Sequence, residues 1–107
     1  MDNIILFVKA FSITPGSRYK EEGKKAHSGE EFRENYLEPN FATAEKNDVK
    51  LIVNLDGTIG FGTSWLEEVF GGLARKVGKE KVLDRIEFIS EEEPYLIEDI
   101  KEYIKDA

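Results

Sequence analysis

Val49-Lys50-Leu51-Ile52-Val53-Asn54-Leu55, then Asp56-Gly57-Thr58-Ile59-Gly60-Phe61-Gly62-Thr63, then Ser64-Trp65-Leu66-Glu67-Glu68-Val69-Phe70-Gly71-Gly72-Leu73-Ala74-Arg75-Lys76-Val77, is the stretch that decides the fold. Its first part is almost continuously apolar, the pattern of a central strand covered on both faces. Its last part repeats Leu66, Val69, Phe70, Leu73, Ala74 and Val77 at helical spacing, which predicts a helix over 64–77 ended by Gly78. A buried strand that passes through a short turn into an amphipathic helix opens a parallel crossover, because parallel neighbours cannot be joined by a tight hairpin.

The flanks repeat the alternation. Ile4 to Phe11 is dense in β-branched and aromatic residues and reads as a strand, ending at Ser12-Ile13-Thr14-Pro15-Gly16-Ser17. Residues 12–29 read mostly as loop, with a short edge strand near their start. Ser28-Gly29-Glu30-Glu31 has the spacing at which a hydroxyl and a glutamate satisfy the free amides of a helix start. Phe32, Tyr36 and Leu37 share one face of that helix. Pro39 is expected to break or restart it before Phe41 and Ala44 carry the stripe on to about Asn47. Beyond Gly78, Lys79–Arg85 suits one helical turn and Ile86–Ile89 a strand. Pro94 opens a final helix with Leu96, Ile97, Ile100 and Ile104 on its buried stripe. The expectation is an α/β fold: a single domain over 1–107, with a mainly parallel mixed sheet of about four strands and helices packed on it.

Composition narrows the function. The net charge of -7 argues against nucleic-acid and anionic-membrane binding, since phosphate affinity comes from Lys and Arg. The charge is uneven: the first quarter carries Arg18, Lys20, Lys24 and Lys25, and Arg18 is a candidate anion-binding residue there. Cysteine is absent and His27 is the single histidine, so no metal site is expected. The apolar run at 4–11 lacks a cationic leader and is too short to span a bilayer, making a cytoplasmic location the expectation.

Chemistry, if present, belongs to the turn after the central strand, where ligands gather in parallel sheets. Gly57 to Ser64 spells G-x-x-x-x-G-T-S, a phosphate-loop pattern with Thr63 in place of lysine. Asp56, Gly57, Gly60 and Gly62 form this loop, and Asp56 suits a turn residue whose carboxylate accepts amides from the loop that follows. Ser64-Trp65-Leu66-Glu67 reads as a second capping box; alternatively Ser64 or Thr63 is a phosphorylation site facing the positive end of the helix. Trp65 lies about 100° from the middle of the Leu66, Val69, Leu73 stripe, so it is expected to border the core. With Glu68, Gly72 and Arg75 it outlines a flat patch suited to docking a protein. Gly71-Gly72 costs roughly 2 kcal/mol relative to two alanines, which either core packing or partner contact would explain.

Pro15-Gly16-Ser17-Arg18-Tyr19, Ser28-Gly29-Glu30-Glu31-Phe32-Arg33, Leu55-Asp56-Gly57 through Phe70-Gly71-Gly72-Leu73, and the last helix together resemble the STAS-like family of bacterial proteins, a relative of the anti-sigma factor antagonist domain. The resemblance covers nearly the whole chain. It implies a protein-interaction module in bacterial regulation, not an enzyme, with no cofactor. In the antagonists an aspartate ends a central strand and a phosphorylatable hydroxyl opens the next helix; Asp56 and Ser64, or Thr63, resemble those positions. The implied partner is a histidine-kinase-like ATPase, released on phosphorylation. Here the connection after Asp56 is shorter, and Gly62 stands where an acidic residue is common. The rival expectation is a small-ligand or nucleotide sensor using the Gly57 to Ser64 turn.

Overall fold

Three strands, β1 (Ile4–Phe7), β2 (Leu51–Asn54) and β3 (Ile86–Ile89), pair in the order β1-β2-β3, all parallel. They belong to a computed structural model that describes residues 2–11, 28–58 and 60–107. Ile4, Leu51 and Ile86 align in one row across the sheet, and Leu6, Val53 and Phe88 in another two residues on. Side chains alternate between faces along a strand. These two rows therefore share one face, which packs on the core.

Among the described residues, four helices cover that face. Helix α1 spans 29–47, α2 spans 63–77, α3 is Lys79–Arg85 and α4 is Tyr95–Lys105. Successive right-handed crossovers that step in one direction across a sheet put their helices on the same side. The opposite face carries Ile5, Phe7, Ile52, Asn54, Glu87 and Ile89. Ile5 is 54% and Phe7 41% exposed. The sequence led to a β2 covered on both faces; among the described residues it is central in order and helix-covered on one side. Among the described residues the sheet has three strands and no antiparallel member, and the edge strand expected at 12–19 lies outside them.

Two further boundaries moved for local reasons. The strand expected over 4–11 stops at Phe7, where Val8–Ala10 make a 3-10 turn that brings Val8 and Phe11 into the core. Phe11 then packs edge-on against Phe32 and Tyr36 of α1, with ring centroids 5.2 Å away in each case. Pro39 does not break α1. The turn before it, Arg33–Leu37, is π-helical, with the Glu38 amide donating to the Arg33 carbonyl five residues back. A proline ring clashes with the carbonyl four residues earlier in a regular helix, and the wider turn relieves that clash.

The start of α1 follows its sequence signal: Ser28 is the N-cap, and its Oγ accepts from the Glu31 amide at 3.1 Å. Gly29 behind it allows α1 to cross α2 closely. A Cβ there would lie 3.0 Å from the Trp65 carbonyl oxygen, 3.3 Å from Glu68 Cβ and 3.4 Å from Trp65 Cα. Two of those neighbours are backbone and cannot swing aside. Gly29→Ala should therefore destabilise the fold by about 1–3 kcal/mol in urea unfolding, although alanine is the better helix former. An exposed control such as Glu45→Ala should stay within about 0.5 kcal/mol.

Candidate functional site at the end of the central strand

The chain leaves β2 through a loop tied to the opposite side of the sheet end. Asn54 Oδ1 accepts the Asp56 amide at 2.9 Å, and the Leu55 amide donates to the Ile89 carbonyl at 2.8 Å. The Asp56 carboxylate then accepts two amides, Glu92 N–H at Oδ1 (3.0 Å) and Glu91 N–H at Oδ2 (3.1 Å). Asp56 is an amide acceptor, as its type suggests, but the amides come from the β3–α4 connection and not from the loop that follows it. Its role is to clamp two strand ends together.

Gly57 is the one loop glycine here with a positive φ, 90°, and a Cβ on it would meet Lys9 Cδ at 2.6 Å. Its amide donates to Glu92 Oε1 at 2.6 Å. A phosphate loop needs such an amide free. The cleft beside it, lined by Asp56, Thr58, Glu92 and Glu93, holds about 10 Å³, the room of a single water, between carboxylates. The strand–turn–helix context of the phosphate-loop pattern is present, but its chemistry is set against anions. Gly60 meets nothing within 4 Å, so no close approach explains it. Gly62 is the N-cap of α2 in extended conformation, and its carbonyl accepts the Leu66 amide at 3.1 Å.

The helix therefore begins at Thr63, ahead of the expected Ser64. This corrects the second capping box: the Ser64 to Glu67 spacing lies inside the first turn instead of straddling the start. Thr63 is exposed and Ser64 half-buried. Glu67, the first carboxylate along the helix, is drawn toward its C-terminal side by Arg75, whose Nη1 lies 2.6 Å from Glu67 Oε2. Glu68 is held by Arg33.

The docking patch expected from Trp65, Glu68, Gly72 and Arg75 is not an open surface. Trp65 is fully buried, its ring 5.2 Å from that of Phe32 and 5.7 Å from that of Phe61. The helical wheel placed it correctly off the sheet-facing stripe, but α1 covers that second side. Glu68 is 7% exposed and accepts from Arg33 Nη2 at 3.0 Å and Nε at 3.3 Å. Arg33 also pairs with Glu38, which receives Lys76 Nζ at 2.9 Å. Burial alone would lower the Arg33 pKa; Glu68 and Glu38 outweigh it and hold the guanidinium above its ordinary value. Gly72 makes room for this ion pair, and of the four residues only Arg75 is exposed. Arg18 lies outside the described residues. The signal that sequence reading passed over was Arg33, one helical turn beyond Gly29.

Among the described residues, a parallel three-stranded sheet has helices packed on it, with Asp56 just beyond its central strand and Thr63 and Ser64 at the head of the next helix. The chain belongs to the family described as a STAS-like domain of unknown function, whose model matches residues 28–96. No curated protein and no solved structure matches it. Among the described residues, no helix is long and apolar enough to cross a membrane.

The two adjacent glycines of α2 separate cleanly in a test. A Cβ on Gly72 would lie 2.8 Å from Arg33 Nε and 2.9 Å from Arg33 Cδ, a side chain pinned by two carboxylates. A Cβ on Gly71 would meet the Glu67 carboxylate and Arg75 Nη1, the far ends of two flexible side chains in a partly exposed ion pair that can shift together. Gly72→Ala should lose about 1–3 kcal/mol and Gly71→Ala should gain up to about 1 kcal/mol, read from urea midpoints at constant m-value.

Proposed function

We propose that this domain is a non-catalytic protein-interaction module of bacterial regulation, working as anti-sigma factor antagonists do. Its contact surface is the loop after Asp56 together with the head of α2. Phosphorylation of Thr63 or Ser64 is the switch, and a histidine-kinase-like ATPase is the partner and kinase.

One observation carries this reading. Thr63 is exposed and Ser64 half-exposed in the first turn of a helix that runs unbroken from 63 to 77, beside the C-terminal end of the central strand. A phosphate there meets the amide end of the helix, which favours negative charge. The nearest helix carboxylates are already engaged, Glu67 by Arg75 and Glu68 by Arg33, which removes much of the repulsion that their sequence positions suggest. The loop below is fastened by Asp56 and Glu92. Added charge then changes the surface that a partner meets while the fold stays in place.

Affinity capture from native extract with the wild-type domain and the Ser64→Glu and Thr63→Glu variants tests this, with mass spectrometry of the bound proteins and of the 63–64 peptide. The expected result is an ATPase held by wild type and weakened about tenfold by one of the variants, the equivalent of 1.4 kcal/mol in binding. A partner retained equally by all three removes the switch; a partner lost only when the far side of the sheet is altered removes this surface.

A further inference from the structure

Asp56-Gly57 is the one point in the chain where an aspartate or asparagine precedes glycine; every other Asp and Asn is followed by a residue with a side chain. Such a pair carries its own reaction. The Gly57 nitrogen attacks the Asp56 side-chain carboxyl carbon: the new C–N bond forms, the N–H proton is lost, and one carboxyl oxygen leaves as water, closing a five-membered succinimide. Water then opens either carbonyl, which returns aspartate or gives isoaspartate, whose main chain runs through Cβ and Cγ. No co-reactant besides water is needed, and glycine has no Cβ to shield the attacking nitrogen. We infer that Asp56-Gly57 is an isomerisation site held closed by Glu92, and that opening of this loop starts the reaction.

Both reacting groups are held from the β3–α4 connection. Asp56 Oδ1 accepts the Glu92 amide at 3.0 Å and Oδ2 the Glu91 amide at 3.1 Å, so each carboxylate oxygen has a donor. The Gly57 N–H donates to Glu92 Oε1 at 2.6 Å, which also fixes the plane of the Asp56-Gly57 peptide. Closing the ring consumes the N–H that Glu92 holds and one of the two oxygens that the amides hold. These hydrogen bonds are therefore lost by covalent necessity and oppose the first step. On its other side Gly57, at φ 90°, lies under the Lys9 stem, whose Cδ would be 2.6 Å from a Cβ there. Glu92 is common to both restraints, with its amide on Asp56 and its carboxylate on Gly57, and its side chain is exposed.

Isoaspartate adds one carbon to the backbone between the end of β2 and Gly57. The amide clamp on the carboxylate and the seat of Gly57 against Lys9 cannot then both be kept. A loop excursion that releases Glu92 is thus recorded covalently, as a local opening far smaller than global unfolding. The reaction is independent of any phosphate at Thr63 or Ser64.

Ageing the full chain at neutral pH, with isoaspartate located by peptide mapping and electron-transfer fragmentation, tests the proposal. Folded wild type should form isoaspartate at Asp56 at least about tenfold more slowly than the chain unfolded in guanidinium. Glu92→Ala keeps the amide on Asp56 but removes the acceptor from Gly57, and should accelerate the folded reaction about three- to tenfold. Glu92→Gln should stay near wild type, because its side-chain oxygen still accepts the Gly57 N–H. Gly72→Ala, which weakens the fold elsewhere, should stay within about twofold of wild type and so separates local opening from global unfolding. Circular dichroism checks that each variant is folded. Folded wild type that isomerises as fast as the unfolded chain overturns the proposal. So does Glu92→Ala that leaves the rate unchanged or lowers it, the latter being the result if the carboxylate draws off the Gly57 proton. Equal acceleration in Glu92→Gln and Glu92→Ala, or in Gly72→Ala and Glu92→Ala, overturns it as well.

Discussion

The crossing of α1 over α2 at Arg33 and Glu68 sets the rest of the molecule. A carboxylate at 7% exposure is tolerable only with a partner, because removing a charge from water costs several kcal/mol unless it is paired and hydrogen-bonded. Arg33 supplies two donors to Glu68 and has Glu38 on its other side. The pair needs α1 and α2 close together, and glycine provides this at two points: Gly29 against the Trp65 backbone and Gly72 under the Arg33 stem. Both helices are π-helical at this crossing, over Arg33–Leu37 and Glu67–Gly71. Each extra residue in a turn rotates everything beyond it by about 100°. The wide turns therefore govern which side chains α1 and α2 present before and after the crossing.

Burial of Trp65 follows from the same crossing and fixes the loop above it. Phe61, Trp65, Phe32 and Tyr36 form a row of rings with centroids 5.2 to 5.8 Å apart, running from the glycine loop through the head of α2 into α1. At its other end the loop is clamped by the Asp56 carboxylate on the Glu91 and Glu92 amides. Aromatic pairing at one end and charge-assisted hydrogen bonds at the other leave the head of α2 anchored. Thr63 and Ser64 are presented from a fixed base, so a change of charge there acts on what approaches the surface.

The β2–loop–α2 unit, the parallel order and the Ser28 cap were legible because each rests on local periodicity or local hydrogen bonding. Trp65 was not. A helical wheel finds one apolar stripe and assigns what lies off it to the surface, which fails for a helix packed between a sheet on one side and another helix on the other. The second covered side of α2 is built from Trp65, Glu68 and Gly72, and it reads as a partner surface until α1 is placed on it. Glu68 disguises it further, since a buried carboxylate cannot be told from a solvated one without its arginine. Pro39 misled for a related reason: its clash is relieved by a wider turn that no residue of 33–37 announces. The direction of the Asp56 hydrogen bonds depends on a segment 35 residues away, beyond any local rule.

Among the described residues the helices lie on one side of the sheet, as its strand order dictates, and this divides the described surface in two. The helix-covered half carries the head of α2, and the bare half carries Ile5, Phe7, Ile52 and Ile89. Lys9 borders both. Its aliphatic stem lies over Gly57, at the start of the loop, while its ammonium stands by the ring of Phe7 on the bare face. Gly57 has a positive φ and no side chain to push that stem away, so loop conformation and Lys9 position are mutually constrained. Holding the Lys9 ammonium in place restrains the stem over Gly57, and a rearrangement of the loop moves the ammonium. By reciprocity, any contact that fixes one end of this side chain acts with equal free energy on the other.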